Sequence, residues 1–192
     1  MSFPGRVFSA GTIVSMEQIE IQDLLAEYAR GRRLFRNLNL RGANLFECDL
    51  QGIDLQSSDL TDAYMPYANL SRANLANIKL RNADLSNVRL HSADLSFADL
   101  QLINLSRANL CHCKFQHTNL TGANFQSADI RYADFSFANL KGANLANTNL
   151  NQAQFNSAIL HGSSFIRAQF AELMNANFDH TTIFPDGHRK LP

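Results

Sequence analysis

The chain has no tryptophan, only four prolines and nine glycines, and just three cysteines in 192 residues. An odd set of three, Cys48, Cys111 and Cys113, excludes a disulfide-stapled scaffold and fits a reducing compartment. Charge of either sign is not in excess, because seventeen basic and seventeen acidic side chains cancel. No whole-molecule field therefore gathers nucleic acid. No stretch approaches the roughly twenty apolar residues of a bilayer span, and residues 1–15 hold no apolar run of signal-peptide length. A soluble, cytoplasmic, single-domain protein with no membrane association is expected. Also missing are a glycine-rich phosphate loop, a nucleophile elbow and a histidine spacing suited to metal. The shortage of glycine and proline is the most informative absence, since a chain that turns often must then build its corners from other residues.

What is present is a period of five. From Leu40 through Phe170 every fifth residue is large and apolar: nineteen Leu, six Phe, Met65 and Ile130. Two residues before each sits a small or apolar residue, Ala in sixteen of the twenty-seven cases and charged in none. Between them falls a polar residue, mostly Asn or Asp, so the stretch reads A-N-L-x-x or A-D-L-x-x. On an α-helix a step of five advances each Leu by roughly 140°, and on a flat strand an odd step flips it to the other face. Neither element buries all of them. Three extended residues, with Ala in, Asn or Asp out and Leu in, followed by two that turn a corner, satisfy the pattern. Repeated corners wind the chain into a coil whose turns hydrogen-bond to one another at the strand spacing of roughly 4.8 Å. Small Ala at alternate inward positions keeps the narrow interior from overfilling. Asn and Asp suit the corners because their short side chains bond nearby backbone groups and tolerate unusual dihedrals.

This pattern resembles the pentapeptide-repeat family, without a register break from Leu38 to Phe170. The resemblance implies an all-β repeat solenoid: a right-handed quadrilateral β-helix with four pentapeptides per coil, hence about seven coils. Residues twenty apart then stack. One inward column becomes Phe35, Leu55, Leu75, Leu95, Phe115, Phe135 and Phe155, with three rings in register.

The open ends of such a rod need covers. Ser15 with Gln18 three residues on reads as a capping box, followed by Ile21, Leu24, Leu25 and Tyr28 at helical spacing. An amphipathic helix over about residues 16–29 is expected, ended by Gly31, with Arg32 and Arg33 complementing its dipole. The string LLAEYARGRRLF also resembles the N-terminal capping helix of bacterial family members. After Phe170 the inward pairs shift to Ala171/Leu173, Ala176/Phe178 and Thr181/Ile183, and Pro185-Asp186-Gly187 forms a turn before a basic tail. Residues 1–34 are thus an N-terminal segment with a capping helix, 35–170 the repeat solenoid, and 171–192 a C-terminal cap or tail. That last segment either closes the final coil or packs against a second copy as a homodimer.

No catalytic, cofactor-binding or metal-binding residues emerge. In the repeat register Cys113 points inward and Cys111 outward, so the two thiols do not converge on one ion. Outward Asp residues such as Asp84, Asp94 and Asp134 lie on different faces, and Asn fills the same position equally well. A filled, convex rod lacks the cleft that catalysis requires. Stacking by twenty also sets His91 beneath Cys111 and His112 beneath Tyr132, which reads as ordinary polar surface. Outward aromatics are the exception to the architecture. Phe97, His117 and Phe137 form a ladder on one face with Leu102 beyond the next corner, and Phe46, Tyr64 and Tyr67 form a second group. The expectation is a non-catalytic interaction module with a protein partner and no cofactor. The alternative implied by the family is a DNA mimic that binds DNA gyrase or another DNA-binding protein, although mimicry calls for strong negative potential. Nucleic acid is not the expected partner, because the basic residues are dispersed among acids.

Overall fold

Backbone pairing at a constant offset builds the molecule. In the computed structural model, which describes residues 16–189, bridges join Leu34 to Asp54, Asp54 to Asn74 and so on in parallel steps of twenty, up to Asn149 with Gln169. Each step spans four pentapeptides, so the chain has four faces. Their middle residues run from Leu34 to Gln154 on the first face and Asn39 to Ile159 on the second. The third runs from Asn44 to Ser164 and the fourth from Asp49 to Gln169. Each extended trio makes rungs both ways: Tyr64 N–H donates to the Ala43 carbonyl at 2.9 Å below, and Met65 N–H to the Asp84 carbonyl at 2.8 Å above.

The two inward residues of each trio fill the core. Of the large five-residue series only Phe170 is exposed, at 64%. Phe135 stacks on Phe115 at 4.7 Å and on Phe155 at 5.1 Å, with planes within 4°. Where Thr or Ser replaces Ala inside, the hydroxyl is satisfied locally: Thr118 donates to the Phe115 carbonyl at 2.6 Å and Thr148 to the Leu145 carbonyl at 2.7 Å.

The corners carry the conformational cost. Every fifth residue from Asn37 through Arg167 has φ between +55° and +70°. A turn bond closes all but the first, as in Ala43 N–H to the Leu40 carbonyl at 3.1 Å. At Asn37 the Ser58 hydroxyl accepts from Leu38 N–H at 3.1 Å and donates to the Phe35 carbonyl at 3.2 Å. A left-handed third residue is what a type II turn demands. Some Asn and Asp take these corners, as at Asn37, Asp62 and Asn77, but those of the A-N-L and A-D-L motif sit elsewhere. They are the extended middle residues, and their side chains cap the corner that follows: Asn74 Oδ1 accepts from Ala76 N–H at 3.2 Å and Asp84 Oδ1 from Ser86 N–H at 2.9 Å. They also bind along the rod, Asn104 Nδ2 donating to Asp84 Oδ1 at 2.9 Å and Asn124 Nδ2 to Asn104 Oδ1 at 3.2 Å. The unusual dihedral thus falls on the last residue of each five, and the amide on the first half of the turn.

At the start, a two-residue strand β1 (Glu17–Gln18) pairs in parallel with β2 (Leu38–Asn39), and helix α1 spans Ile21–Ala29. The helix is shorter than the expected 16–29. Gln18 is in β1, and Glu20 is the N-cap with no side-chain cap bond. The helix thus starts after the expected capping box, whose Ser15 lies outside the described residues. The physical reason is the edge of the first circuit, whose Asn37 carbonyl accepts from Glu17 N–H at 3.2 Å. Pairing a strand edge outweighs a helix cap. The other end is as expected: Gly31 at φ +99° donates to the Tyr28 carbonyl and Arg32 to that of Glu27, a Schellman closure. Arg33 lies over the Tyr28 ring at 4.0 Å and donates to its carbonyl at 2.8 Å. Leu24 is completely buried against the first circuit.

At the far end the offset shrinks. Asn177 pairs with Ile159, eighteen residues away, and Ile183 with Ser164, nineteen away. Ala176 and Phe178 flank Asn177 and pack on the core, but the third inward pair differs from the expected Thr181/Ile183. Ile183 is itself the bridging residue, so Thr182, fully buried, and Phe184 take the inward places. Thr182 Oγ1 fixes this register by donating to the Leu160 carbonyl at 2.8 Å. Residues 185–187 turn as expected, and Ile183 pairs antiparallel with Arg189.

Candidate protein-contact surface

The corner between the first and second faces is occupied in sequence by Asn37, Ser57, Asn77, Phe97, His117, Phe137 and Ser157. Small polar residues make this corner without difficulty in four circuits. In the other three, rings take it, all exposed. Phe97 stacks on His117 at 5.0 Å with planes 4° apart, and His117 on Phe137 at 4.9 Å and 3°. A left-handed backbone costs a bulky L-residue about 1 kcal/mol relative to Gly, and the exposed rings leave apolar surface in water. Stacking returns about 0.5–1.5 kcal/mol per ring pair. The fold needs none of this, so the ladder is a surface feature laid on the scaffold.

Beside the ladder the first face is polar and internally paired. Lys114 Nζ lies 3.5 Å from Asp94 Oδ2, and Gln116 Nε2 donates to Asp134 Oδ2 at 2.6 Å. Burial pulls the Asp94 carboxyl upward, but the Ser96 N–H, its hydroxyl and Lys114 outweigh that and hold it below the ordinary carboxylate range. The face is therefore an ordered set of charges framed by rings.

Leu102 is not part of this ladder. It stands on the next corner, between the second and third faces, and its Cδ2 covers Gly122; a Cβ at Gly122 would sit 2.7 Å from it. The second group does assemble: Phe46 stacks on Tyr64 at 6.0 Å and meets Tyr67 edge-on at 6.1 Å. It lies in the lower circuits on the third face and its corner with the fourth, separate from the ladder. A further stack was legible only as spacing. His112 lies on Tyr132 at 4.7 Å with planes 1° apart and meets His91 edge-on at 5.5 Å, so this corner, opposite the ladder across the first face, is ring-lined as well.

Cys113 is inward, its Sγ donating to the Leu90 carbonyl at 2.9 Å, and burial pushes its thiol far above the ordinary range. Cys111 is buried at its corner beside Asp129 and Arg131. Among the described residues no group of three His, Cys, Asp or Glu side chains is placed to hold a metal ion, and no helix is long and apolar enough to cross a membrane.

A family model described as pentapeptide repeats matches the chain in eight copies, over residues 34–65, 68–107, 103–142 and 138–178. No curated protein is matched by the chain. Among solved structures, trypsin-treated QnrB1, a plasmid-mediated fluoroquinolone resistance protein, is similar with a TM-score of 0.61 and 17% identity, covering 76% of this chain and 80% of that one. HetL, a pentapeptide-repeat protein involved in heterocyst differentiation regulation from the cyanobacterium Nostoc, is 27% identical over 90% of this chain and all of its own, with a TM-score of 0.28. A pentapeptide-repeat protein of the Arabidopsis thaliana thylakoid lumen is 31% identical over 57% of this chain and 69% of its own, with a TM-score of 0.26.

Proposed function

The chain belongs to the pentapeptide-repeat family, and from that premise we propose that it is a non-catalytic module presenting its Phe97–His117–Phe137 ladder to a protein partner. The family supplies a structural repeat scaffold, and no catalytic family is indicated. Placing this chain as a right-handed, four-sided rod of about seven coils, closed at one end by α1 and working in the cytoplasm, is part of the same reading. So is its division into a cap at 1–34, a rod at 35–170 and a C-terminal cap at 171–192. The observation that carries the function is the ladder itself: three successive corners hold exposed rings where Asn and Ser suffice in the circuits above and below. Tyr64, Tyr67 and Phe46 offer a second contact point, and Leu102 extends the ladder's reach around the next corner. The C-terminal segment supports a homodimer contact: Met174 is 94% exposed beside an apolar depression of about 210 Å³ between Leu173, Phe178 and Phe184. The DNA-mimic alternative lacks the excess negative charge it needs, since the net charge is zero.

The test is the double variant Phe97→Ser/Phe137→Ser. Quantitative affinity capture from cell extract should lose the proteins that the unaltered chain retains, with unfolding little changed. Identical capture profiles would sink this reading.

A further inference from the structure

We propose that the fourth face, across three successive circuits, is a docking surface for an acidic protein segment, held by Arg72, Arg89 and Arg107. The proposal goes beyond the ladder, whose corner between the first and second faces is not shared by the fourth face, so the two surfaces can be occupied separately.

Residues 66–72, 86–92 and 106–112 form this face and its two corners on three successive circuits, joined by the bridges of Asn69 with Arg89 and Arg89 with Asn109. In a chain with equal numbers of acids and bases, these stretches hold three arginines, His91 and His112, and no Asp or Glu. All three arginines are exposed. Several cations elsewhere are engaged: Arg36 with Asp54 at 2.5 Å, Arg41 with Asp62 at 3.3 Å, Arg81 with Asp99 at 3.8 Å and Lys114 with Asp94 at 3.5 Å. Among the described residues no ion pair or side-chain hydrogen bond ties the guanidinium of Arg72, Arg89 or Arg107. The nearest carboxylate along the column above is Asp129, and Arg131 takes it through Nε at 2.9 Å and Nη2 at 2.8 Å.

The three guanidinium stems lie on a diagonal: Arg72 at the corner of the lowest circuit, Arg89 mid-face, and Arg107 at the opposite corner of the highest. A rise of ~4.8 Å per circuit with two or three residues of sideways displacement separates successive Cα atoms by roughly 8–11 Å. Side chains at alternate positions of an extended strand lie roughly 6.6–6.8 Å apart, and flexible arginine stems take up the difference. An extended segment with carboxylates at alternate positions thus meets all three forks, each able to grip a carboxylate through two N–H groups. Beside Arg107 a polar recess of about 340 Å³ between Ser86, Asn87 and Ser127 leaves room for the segment's backbone. Three cations are few for a nucleic acid, whose affinity grows with the number of phosphates neutralised. The rings here also pack on one another, His112 on Tyr132 and His91, instead of offering faces to bases.

The probe is a fluorescein-labelled peptide of five Glu-Ala repeats, followed by anisotropy at 50 and 150 mM salt. The unaltered chain should bind it, more weakly at the higher salt. R72Q/R89Q/R107Q should lose at least tenfold in affinity, while the equally discharged control R81Q/K141Q/R167Q should change less than twofold. R72K/R89K/R107K keeps the charge and removes the fork, and should retain part of the affinity; it also serves if the glutamine variant unfolds. The proposal is overturned if both discharged variants lose affinity alike, or if the chain ignores the peptide at 50 mM salt. It is equally overturned if a 20-nucleotide single strand binds more tightly through the same three residues.

Discussion

Phe135 and Phe137 are two residues apart, each stacked in a column of rings, and replacing them should have opposite consequences. Phe135 is fully buried, face to face with Phe115 and Phe155 and edge-on to Phe125 at 5.7 Å. Phe135→Ala removes a core ring and leaves a void between two stacked neighbours, which costs about 3–5 kcal/mol. Phe137 is 57% exposed at φ +61° and stacks only on His117. Phe137→Asn forfeits one ring pair, about 0.5–1.5 kcal/mol, and regains about 1 kcal/mol of left-handed strain, because Asn tolerates that conformation and holds the same corner at Asn37 and Asn77. The net change should lie within about 1 kcal/mol. At about 2–4 °C per kcal/mol for a chain of this size, Phe135→Ala should lower the melting temperature by about 6–20 °C and Phe137→Asn should move it by less than about 4 °C. Thermal unfolding followed by far-ultraviolet circular dichroism, and by intrinsic tyrosine fluorescence to verify one transition, measures both. Equal losses from the two variants would refute the reasoning, since the ladder would then be part of what holds the rod together.

Other consequences concern titration and assembly. Burial raises the Cys113 thiol, so the folded chain keeps a proton that the unfolded chain releases above about pH 8.5. This contribution is complete below that pH and is lost as pH rises, by up to about 1.4 kcal/mol per pH unit. Cys113→Ala, which matches Ala93 and Ala133 in the same column, should flatten the fall of denaturant stability between pH 9 and 10.5; parallel curves would count against it. For Asp54, burial acts upward, but the Arg36 guanidinium, the Gln56 N–H and the Asn74 amide together hold the carboxyl below its ordinary range. Its contribution is present above about pH 4 and disappears as pH falls through the folded value. Asp54→Asn should therefore be less stable than the unaltered chain at pH 7, with the gap closing toward pH 2 in chemical denaturation. If the C-terminal segment pairs two copies, Met174→Asp should shift sedimentation velocity from dimer to monomer without lowering the melting temperature.

The inward positions were legible because burial is set by side-chain size and period alone. Leu40 to Phe165, the Phe115–Phe135–Phe155 stack and the Gly31 stop all follow from spacing. Features decided by pairing between distant segments were not. The start of α1 depends on β1 meeting an edge twenty-one residues ahead, which outcompetes a local capping signal at Gln18. Thr182 rather than Thr181 turns inward because its hydroxyl finds the Leu160 carbonyl, a contact that no periodicity contains. Phe170 keeps the five-residue spacing but faces solvent, because the repeat ends one position before it, at Gln169. The stack of His112 on Tyr132 was visible as a spacing of twenty, yet nothing in residue type separated it from ordinary polar surface.

The corner geometry explains why architecture and surface can be told apart here. The left-handed residue is Asn at 77, Arg at 107, His at 112 and Phe at 137, with φ values within 3° of one another. A position whose backbone is dictated by turn closure, and whose side chain projects away from the core, accepts any type at a cost of about 1 kcal/mol. Residue identity at corners and mid-faces is thus nearly free of folding constraint, unlike that of the two inward residues. A run that departs from the Asn and Ser found elsewhere in its own column then carries information that the fold did not require. Phe97, His117 and Phe137 depart in this way along one corner, and Arg89 departs between Asn69 and Asn109 on the fourth face. On the reading proposed above, such departures within a column mark where a partner binds. The two proposed contacts differ in chemistry, one aromatic and one cationic, so each can be removed by substitution without touching the other.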